Sequence, residues 1–322
     1  FTIISRYIIH LLIKYPNCAI GSTDRADLKG PSENFENYVK GEIGLKWCEN
    51  FLVMEILVQT GGEMWKFHQK ITNQLFTTKN FREIFCKVFE QETKTALNIL
   101  NDAANKDDTI DLHIYFEYIW KVKTGRRIRK EIKYLDEFAY NIIKERKSKK
   151  ANDSASSSNV SGCDTTANVE ENQIPTFDSI KNFHYAEATL YETLRLYPAV
   201  PKNSKSPWCM GRDKKIWGEN ALQFYPDRFL TSEGVLKPSQ FKFPAFHAGP
   251  RICLRQQFAT VEALTLVTSM LKKYRFELIP GQESPPPYIS SITLPMKNPL
   301  LVKVDGLDGS GIASSLSILS KT

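Results

Sequence analysis

Apolar residues recur at intervals of three and four along most of this chain, and that period restricts the fold to packed helices more than any other feature does. Over 79–102, Phe81, Ile84, Phe85, Val88, Phe89, Ala96, Leu97 and Leu100 form one stripe, which predicts an amphipathic helix. A second helix is expected in EMWKFHQKITNQLF just before it, and a third over about 126–147 with a strongly basic outer face. FHYAEATLYETLRLY at 183–197 reads as a helix stopped by Pro198 and Pro201, with Thr176 and Asp178 capping a short helix ahead of it. The last long helix is expected at 256–274. Strand character is confined to RFELIP and ITLPMKNPLLVKV around the turn SPPPYIS, so the expected class is mainly α with a small β region.

A content of 42% hydrophobic and 25% charged residues in 322 is enough for a sizeable core and excludes general disorder, collagen and a disulfide mini-scaffold. The net charge of +7 is a mild basic excess that points to no acidic partner by itself. Cys18, Cys48, Cys86, Cys163, Cys209 and Cys253 have no paired spacing, which argues against a zinc cage or a secreted disulfide framework and favours a reducing compartment. Cys209 is expected to be buried. The opening FTIISRYIIHLLIKY, interrupted by Arg6, His10 and Lys14, is too short to span a bilayer. Because the chain starts at Phe1, the true N-terminus and any anchor are expected upstream.

The most informative stretch is FPAFHAGPRICLRQQFATVEALTLV, where a Gly/Pro loop delivers Cys253 to the start of an apolar helix. Helix N-terminal amides favour the thiolate form that a metal ligand needs. Phe246, Gly249, Arg251 and Cys253 fit F-x-x-G-x-R-x-C, and this resembles the haem-binding signature of the cytochrome P450 family. Upstream, and in the family's order, Glu192 and Arg195 form E-x-x-R in YETLRLYP, and Arg228 lies in FYPDRF. Glu and Arg three apart share a helix face, and a second Arg from a loop can fill the carboxylate's remaining acceptor sites. On its own an E-x-x-R pair is most often a surface pair; its occurrence together with PDRF and the cysteine loop makes it the family's buried ion network.

The resemblance implies further roles. Cys253 becomes the axial ligand of haem b, its thiolate pushing electron density toward O–O cleavage. Trp65 and Arg251 address propionates, Phe246 and Gly249 shape the cofactor loop, and Glu192, Arg195 and Arg228 are structural. SGCDTTA matches the family's small-Gly-x-acid-Thr pattern, which makes Asp164 and Thr165 the proton-delivery pair. Its flanks SASSSNV and ANVEENQ lack apolar turns, so the segment is either a remnant of the central distal helix or a linker.

The resemblance is to microsomal eukaryotic members, similar to fungal fatty-acid and alkane hydroxylases. It implies an apolar substrate, dioxygen, electrons from an NADPH-cytochrome P450 reductase, and a full-length parent on the cytosolic face of the endoplasmic reticulum membrane. It divides the chain into an N-terminal helical part at 1–150, a polar linker or helix remnant at 151–175, a haem-binding part at 176–304 and a flexible tail at 305–322.

The chain also departs from the pattern. Arg255 stands where the family has glycine, and a guanidinium there is expected to collide with the macrocycle. Gln69 replaces a cation that pairs with a propionate. After Asp111 the family's substrate-roof helices have almost no counterpart, so the fold is expected to be an incomplete one that also lacks most of the central distal helix. A haem-free, non-catalytic remnant is therefore the competing reading. His10, His68, His113, His184 and His247 have no zinc spacing, although His247 lies in the cysteine loop as a conceivable substitute ligand. The basic runs RRIRKEIK and KERKSKK carry no interleaved stacking aromatics, so no nucleic-acid partner is expected.

Overall fold

The computed structural model describes residues 66, 69–70, 73, 76–113, 115, 174–200, 207–249, 252–283, 285–289 and 295–308. The helix expected at 126–147 and the polar stretch 151–172 lie outside them, whereas the described positions 66, 69–70 and 73 are helical, as EMWKFHQKITNQLF predicts. Helix α1 (Thr78–Asn80), a π-helical turn (Phe81–Phe85) and helix α2 (Cys86–Lys106) follow one another without a break. Thr77 caps the start, its hydroxyl accepting from the Asn80 N–H at 3.3 Å. Phe89, Thr93, Ala96, Leu97, Leu100 and Ala103 form the buried face of α2. The helix runs four residues past the expected end at 102, because Asp107, not a glycine, takes the left-handed stop at φ 55°.

Strand β1 (Thr109–Asp111) follows, and the chain is next described through the 3-10 helix Ser179–Asn182 into helix α3 (His184–Leu196). Thr176 and Ser179 bond each other reciprocally ahead of it. Asp178 makes no capping bond; its carboxylate pairs with Arg82 at 3.0 Å and Lys181 at 3.3 Å, which holds it below the ordinary carboxyl range. Helices α4 (Pro207–Met210) and α5 (Lys214–Trp217), the 3-10 helix Pro226–Phe229 and the hairpin β2 (Leu230–Thr231) with β3 (Gly234–Val235) form a meander packed on α3. Cys209 is exposed, not buried, because α4 turns Pro207 and Met210 inward.

The 3-10 helix Pro244–Phe246 then leads through the cysteine loop to helix α6 (Gln256–Lys273) and strand β4 (Tyr274–Leu278). Strand β5 (Leu301–Gly306) lies between β1 and β4, antiparallel to both, with Ile110 opposite Val302 and Phe276 opposite Val304. Sequence pattern placed a strand over 292–304 and a tail from Asp305. The ordered strand starts at Leu301, and Asp305 sits inside the sheet opposite Arg275.

One core joins the sheet to α2, α3 and α6 through Leu97, Leu100, Leu190, Leu194, Leu264, Val267, Met270 and Val302. Tyr274 ties sheet to helix, its hydroxyl donating to the Leu97 carbonyl at 3.1 Å. The described part is thus helix-rich with a small sheet region. Among the described residues no helix is long and apolar enough to cross a membrane.

Candidate functional site

Helix α3 is buried on nearly every side from Ala188 to Leu196, so each polar group on it needs an internal partner. Thr189 and Thr193 return their hydroxyl protons to the carbonyls of Tyr185 and Thr189. Glu192 and Arg195, both fully buried, form a bidentate pair at 2.6 and 2.7 Å. The rest of the guanidinium donates to the carbonyls of Gly211, of Ala221 at 2.6 Å and of Gln223 at 3.0 Å, so all five N–H groups are engaged. Trp217 covers its face at 5.3 Å.

Glu192 Oε1 also accepts from the Tyr225 N–H at 2.7 Å and from Arg228 Nε at 3.2 Å. Arg228 donates onward to the Trp217 carbonyl and to both oxygens of Asn220. The structure therefore brings Glu192, Arg195 and Arg228 together, as the spacing predicts. The backbone carbonyls that complete the network carry no signal in sequence. Gly211 is fixed by it as well: a Cβ there would stand 1.9 Å from the Arg195 carbonyl oxygen.

The residue after Arg228 carries this rigidity toward the cysteine. Phe229, fully buried, packs edge-on against Tyr191 of α3 at 5.7 Å and Phe243 at 5.9 Å. Phe243 precedes the 3-10 turn that ends at Phe246. Beyond it, His247 adopts φ 65° and ψ −173°, a region open almost only to glycine, and Gly249 adopts φ 75°. These two turns fold the loop back so that the Cys253 N–H donates to the Phe246 carbonyl at 2.9 Å and the Ile252 N–H to the Gly249 carbonyl at 3.0 Å. Gln240 pins the loop from outside, its Oε1 accepting from the Gly249 N–H at 3.0 Å.

Cys253 is buried beside Phe246 in the main core, two residues ahead of the N-cap of α6. No side chain caps that helix; its first amide, the Gln256 N–H, turns back to the Cys253 carbonyl at 3.3 Å. The first turn of α6 is held by Phe258, which meets Phe89 at 4.9 Å, Phe85 at 5.2 Å and Phe76 at 6.1 Å. The helical period contained that cluster, but the π turn that gathers Phe81 and Phe85 onto Phe258 has no sequence mark. Phe246, Gly249 and Cys253 thus share one loop, whereas Trp65, Asp164, Thr165 and Arg251 lie outside the described residues.

The chemistry of this donor set fits a flat, thiolate-bound macrocycle on the proximal side: one buried thiol, an adjacent tight loop and an uncapped helix start. Arg255, where the resemblance expects glycine, is exposed and has φ −95°, a backbone conformation open to any residue. Farther along α6, burial pushes the Glu262 carboxyl up to about 8; Arg255 counters this and Glu92 of α2 adds to it. The folded state therefore holds this proton more tightly than the unfolded chain does. Its contribution to stability is full below the ordinary value of 4.5 and is lost as pH rises to about 8. Glu262→Gln is expected to flatten that part of the stability profile, measured by thermal unfolding at pH 5, 6.5 and 8; an unchanged slope contradicts the assignment.

Comparison with known proteins adds to this geometry. A family profile described as cytochrome P450 matches residues 204–304. The cytochrome P450 monooxygenase cyp1 of Mycosarcoma maydis is 25% identical over 417 aligned positions, covering 84% of this chain and 65% of that protein. The alkane hydroxylase MAH1 of Arabidopsis thaliana is 31% identical over 235 positions, 58% of this chain and 47% of the relative. Cytochrome P450 704B1 of Arabidopsis thaliana is 23% identical over 438 positions, 84% and 83% of the two chains. The chain spans less than two thirds of the first two relatives. Two of the alignments are longer than the 322 residues present, so those relatives carry internal stretches without a counterpart here.

Proposed function

The chain belongs to the cytochrome P450 family, whose relatives use a haem-thiolate cofactor, and from that premise we propose that it is a haem-thiolate monooxygenase hydroxylating an apolar substrate of the alkane or fatty-acid class. The observation that carries this reading is the cysteine loop, in which the Cys253 N–H is returned to the Phe246 carbonyl and the thiol is buried ahead of an uncapped helix.

Cys253 would hold the haem iron through Sγ, and haem, when bound, supplies the activation of dioxygen. Phe246 and Gly249 keep the loop closed around the thiol and exclude water from it. Trp65 and Arg251 would orient the propionates, and Asp164 and Thr165 would pass protons on the distal side. Glu192, Arg195 and Arg228 act at a distance by fixing the meander, and Phe229 on Phe243 transmits that fixity to the loop. Electrons would come from an NADPH-cytochrome P450 reductase, at the cytosolic face of the endoplasmic reticulum membrane.

The alkane hydroxylase among the relatives supports the substrate class. Reconstitution with NADPH-cytochrome P450 reductase and either an alkane or a medium-chain fatty acid is expected to give NADPH-dependent hydroxylated product, and Cys253→Ala none. Haem-loaded protein that consumes neither substrate overturns the substrate class. A second reading is favoured by the alignments that outrun the chain: a haem-free remnant of the fold without the substrate-roof helices and most of the distal helix. Haem content separates the two.

A further inference from the structure

The helix start that follows Cys253 lies between two separate clusters. Cys253, Ala263 and Leu264 belong to the main core, whereas Phe258 and Val261 join a second cluster built of Phe76, Phe81, Phe85, Phe89 and Phe177. Phe258 is its hub. Its ring lies 4.9 Å from Phe89, 5.2 Å from Phe85, 6.1 Å from Phe76 and 6.5 Å from Phe81, edge-on to the first three and tilted to the last.

Three of those partners come from one continuous helical run, and an ordinary helix would spread them around its axis. At 3.6 residues per turn, positions i, i+4 and i+8 drift by about 80°, which turns Phe89 away from the side that Phe81 occupies. The turn Phe81–Phe85 is π-helical, closed by the Cys86 N–H on the Phe81 carbonyl, and its wider circuit takes back part of that drift. Phe81 and Phe89 are accordingly both buried, and Phe81 meets Phe85 edge-on at 5.3 Å. On another side of the cluster, Phe177 covers Phe81 at 5.5 Å, and Lys181 and Arg82, both paired with Asp178, lie over the Phe177 ring at 4.9 and 5.9 Å. Single π turns are rare and recur at functional sites.

Phe258 stands little more than one helical turn from the cysteine. The Gln256 N–H reaches back to the Cys253 carbonyl at 3.3 Å and the Ala259 N–H to the Arg255 carbonyl at 2.9 Å, so a slip of this first turn moves the Cys253 backbone with it. We propose that the π turn Phe81–Phe85 is a positioning element for the cysteine: acting through Phe258, it seats the first turn of α6 and keeps the Cys253 thiol buried. Phe85 and Phe258 are positioning residues in this account. That the thiol then meets haem rests on the monooxygenase reading; the seating of the helix start does not.

The test measures how fast iodoacetamide alkylates Cys253 in the haem-free full chain, read by peptide mass mapping, with the exposed Cys209 as the reference within the same molecule. Phe85→Leu and Phe258→Leu keep an apolar side chain and remove the ring. Each is expected to speed Cys253 alkylation relative to Cys209 by about tenfold, and the double variant by no more than about twofold beyond either, because the two rings act as one contact. Phe85→Tyr, which restores the ring, is expected to stay within about twofold of the parent. Met270→Ala removes a fully buried side chain from the far end of α6 and serves as the control for general destabilisation. It is expected to lower the melting temperature at least as much while leaving the Cys253 rate within about twofold. Rates in both leucine variants that match the parent, or an equal rise in Met270→Ala, overturn the proposal. After expression with haem supplied, Phe258→Leu is expected to lose about half of the thiolate-type Soret band at equal haem content, and an unchanged band overturns the effect on the ligand. A parent without haem defeats the monooxygenase reading, and the alkylation rates then decide the role of the π turn alone.

Discussion

Replacing Arg195 by leucine is expected to cost about 3–5 kcal/mol, the largest loss from any single change outside the cysteine, because it strands a buried charge. Glu192 would keep its desolvation penalty and lose both bonds of the bidentate pair, leaving Arg228 and the Tyr225 N–H as its donors. The carbonyls of Gly211, Ala221 and Gln223 would lose their donor at the same time. Against a typical total stability of about 5–15 kcal/mol, that removes from about a fifth to nearly all of it. Arg195→Lys is expected to recover little, since a single ammonium cannot reproduce the planar fork that reaches the carboxylate and three carbonyls together. Urea unfolding of the three proteins checks this. A midpoint for the leucine variant within error of the parent contradicts the network's structural role.

Gly211→Ala is expected to be nearly as damaging, though it adds only a methyl group. The added carbon would stand 1.9 Å from the Arg195 carbonyl oxygen and 3.2 Å from that of Pro207, both backbone atoms with no rotamer through which to retreat. The backbone around residue 211 must therefore move, and its own carbonyl leaves Arg195. A cost of roughly 3 kcal/mol follows from overpacking together with a lost charge-assisted bond. A serine at Gly218, where a Cβ would meet nothing closer than 3.9 Å, serves as the comparison, because its cost comes from the backbone at φ 82° alone. Similar losses at the two sites in thermal unfolding would sink the steric account of Gly211.

Much of this arrangement could be read from sequence. The three- and four-residue period located α2, α3 and α6 to within a few residues, and the spacing of Glu192, Arg195 and Arg228 announced one network. What escaped was whatever depends on backbone groups. The carbonyls that complete Arg195 belong to Gly211, Ala221 and Gln223, and no residue type advertises a carbonyl's direction. Asp107 ended α2 without the glycine that signals a stop, and Asp305 continued a strand where polar composition suggested a tail. Cys209 departs from the usual burial of a lone cysteine because a helix of four residues can bury only some of its side chains.

The cofactor loop shows the same limit at His247, an ordinary residue type held at φ 65° where the loop closes on Cys253.

The most direct test of the central claim, that Cys253 is presented as a thiolate ligand to haem, is the carbon monoxide difference spectrum of the reduced protein after expression with haem supplied. A red-shifted, thiolate-type Soret band is predicted for the parent, and its disappearance for Cys253→Ala. A parent that carries no haem, or a band that survives in Cys253→Ala, contradicts the account.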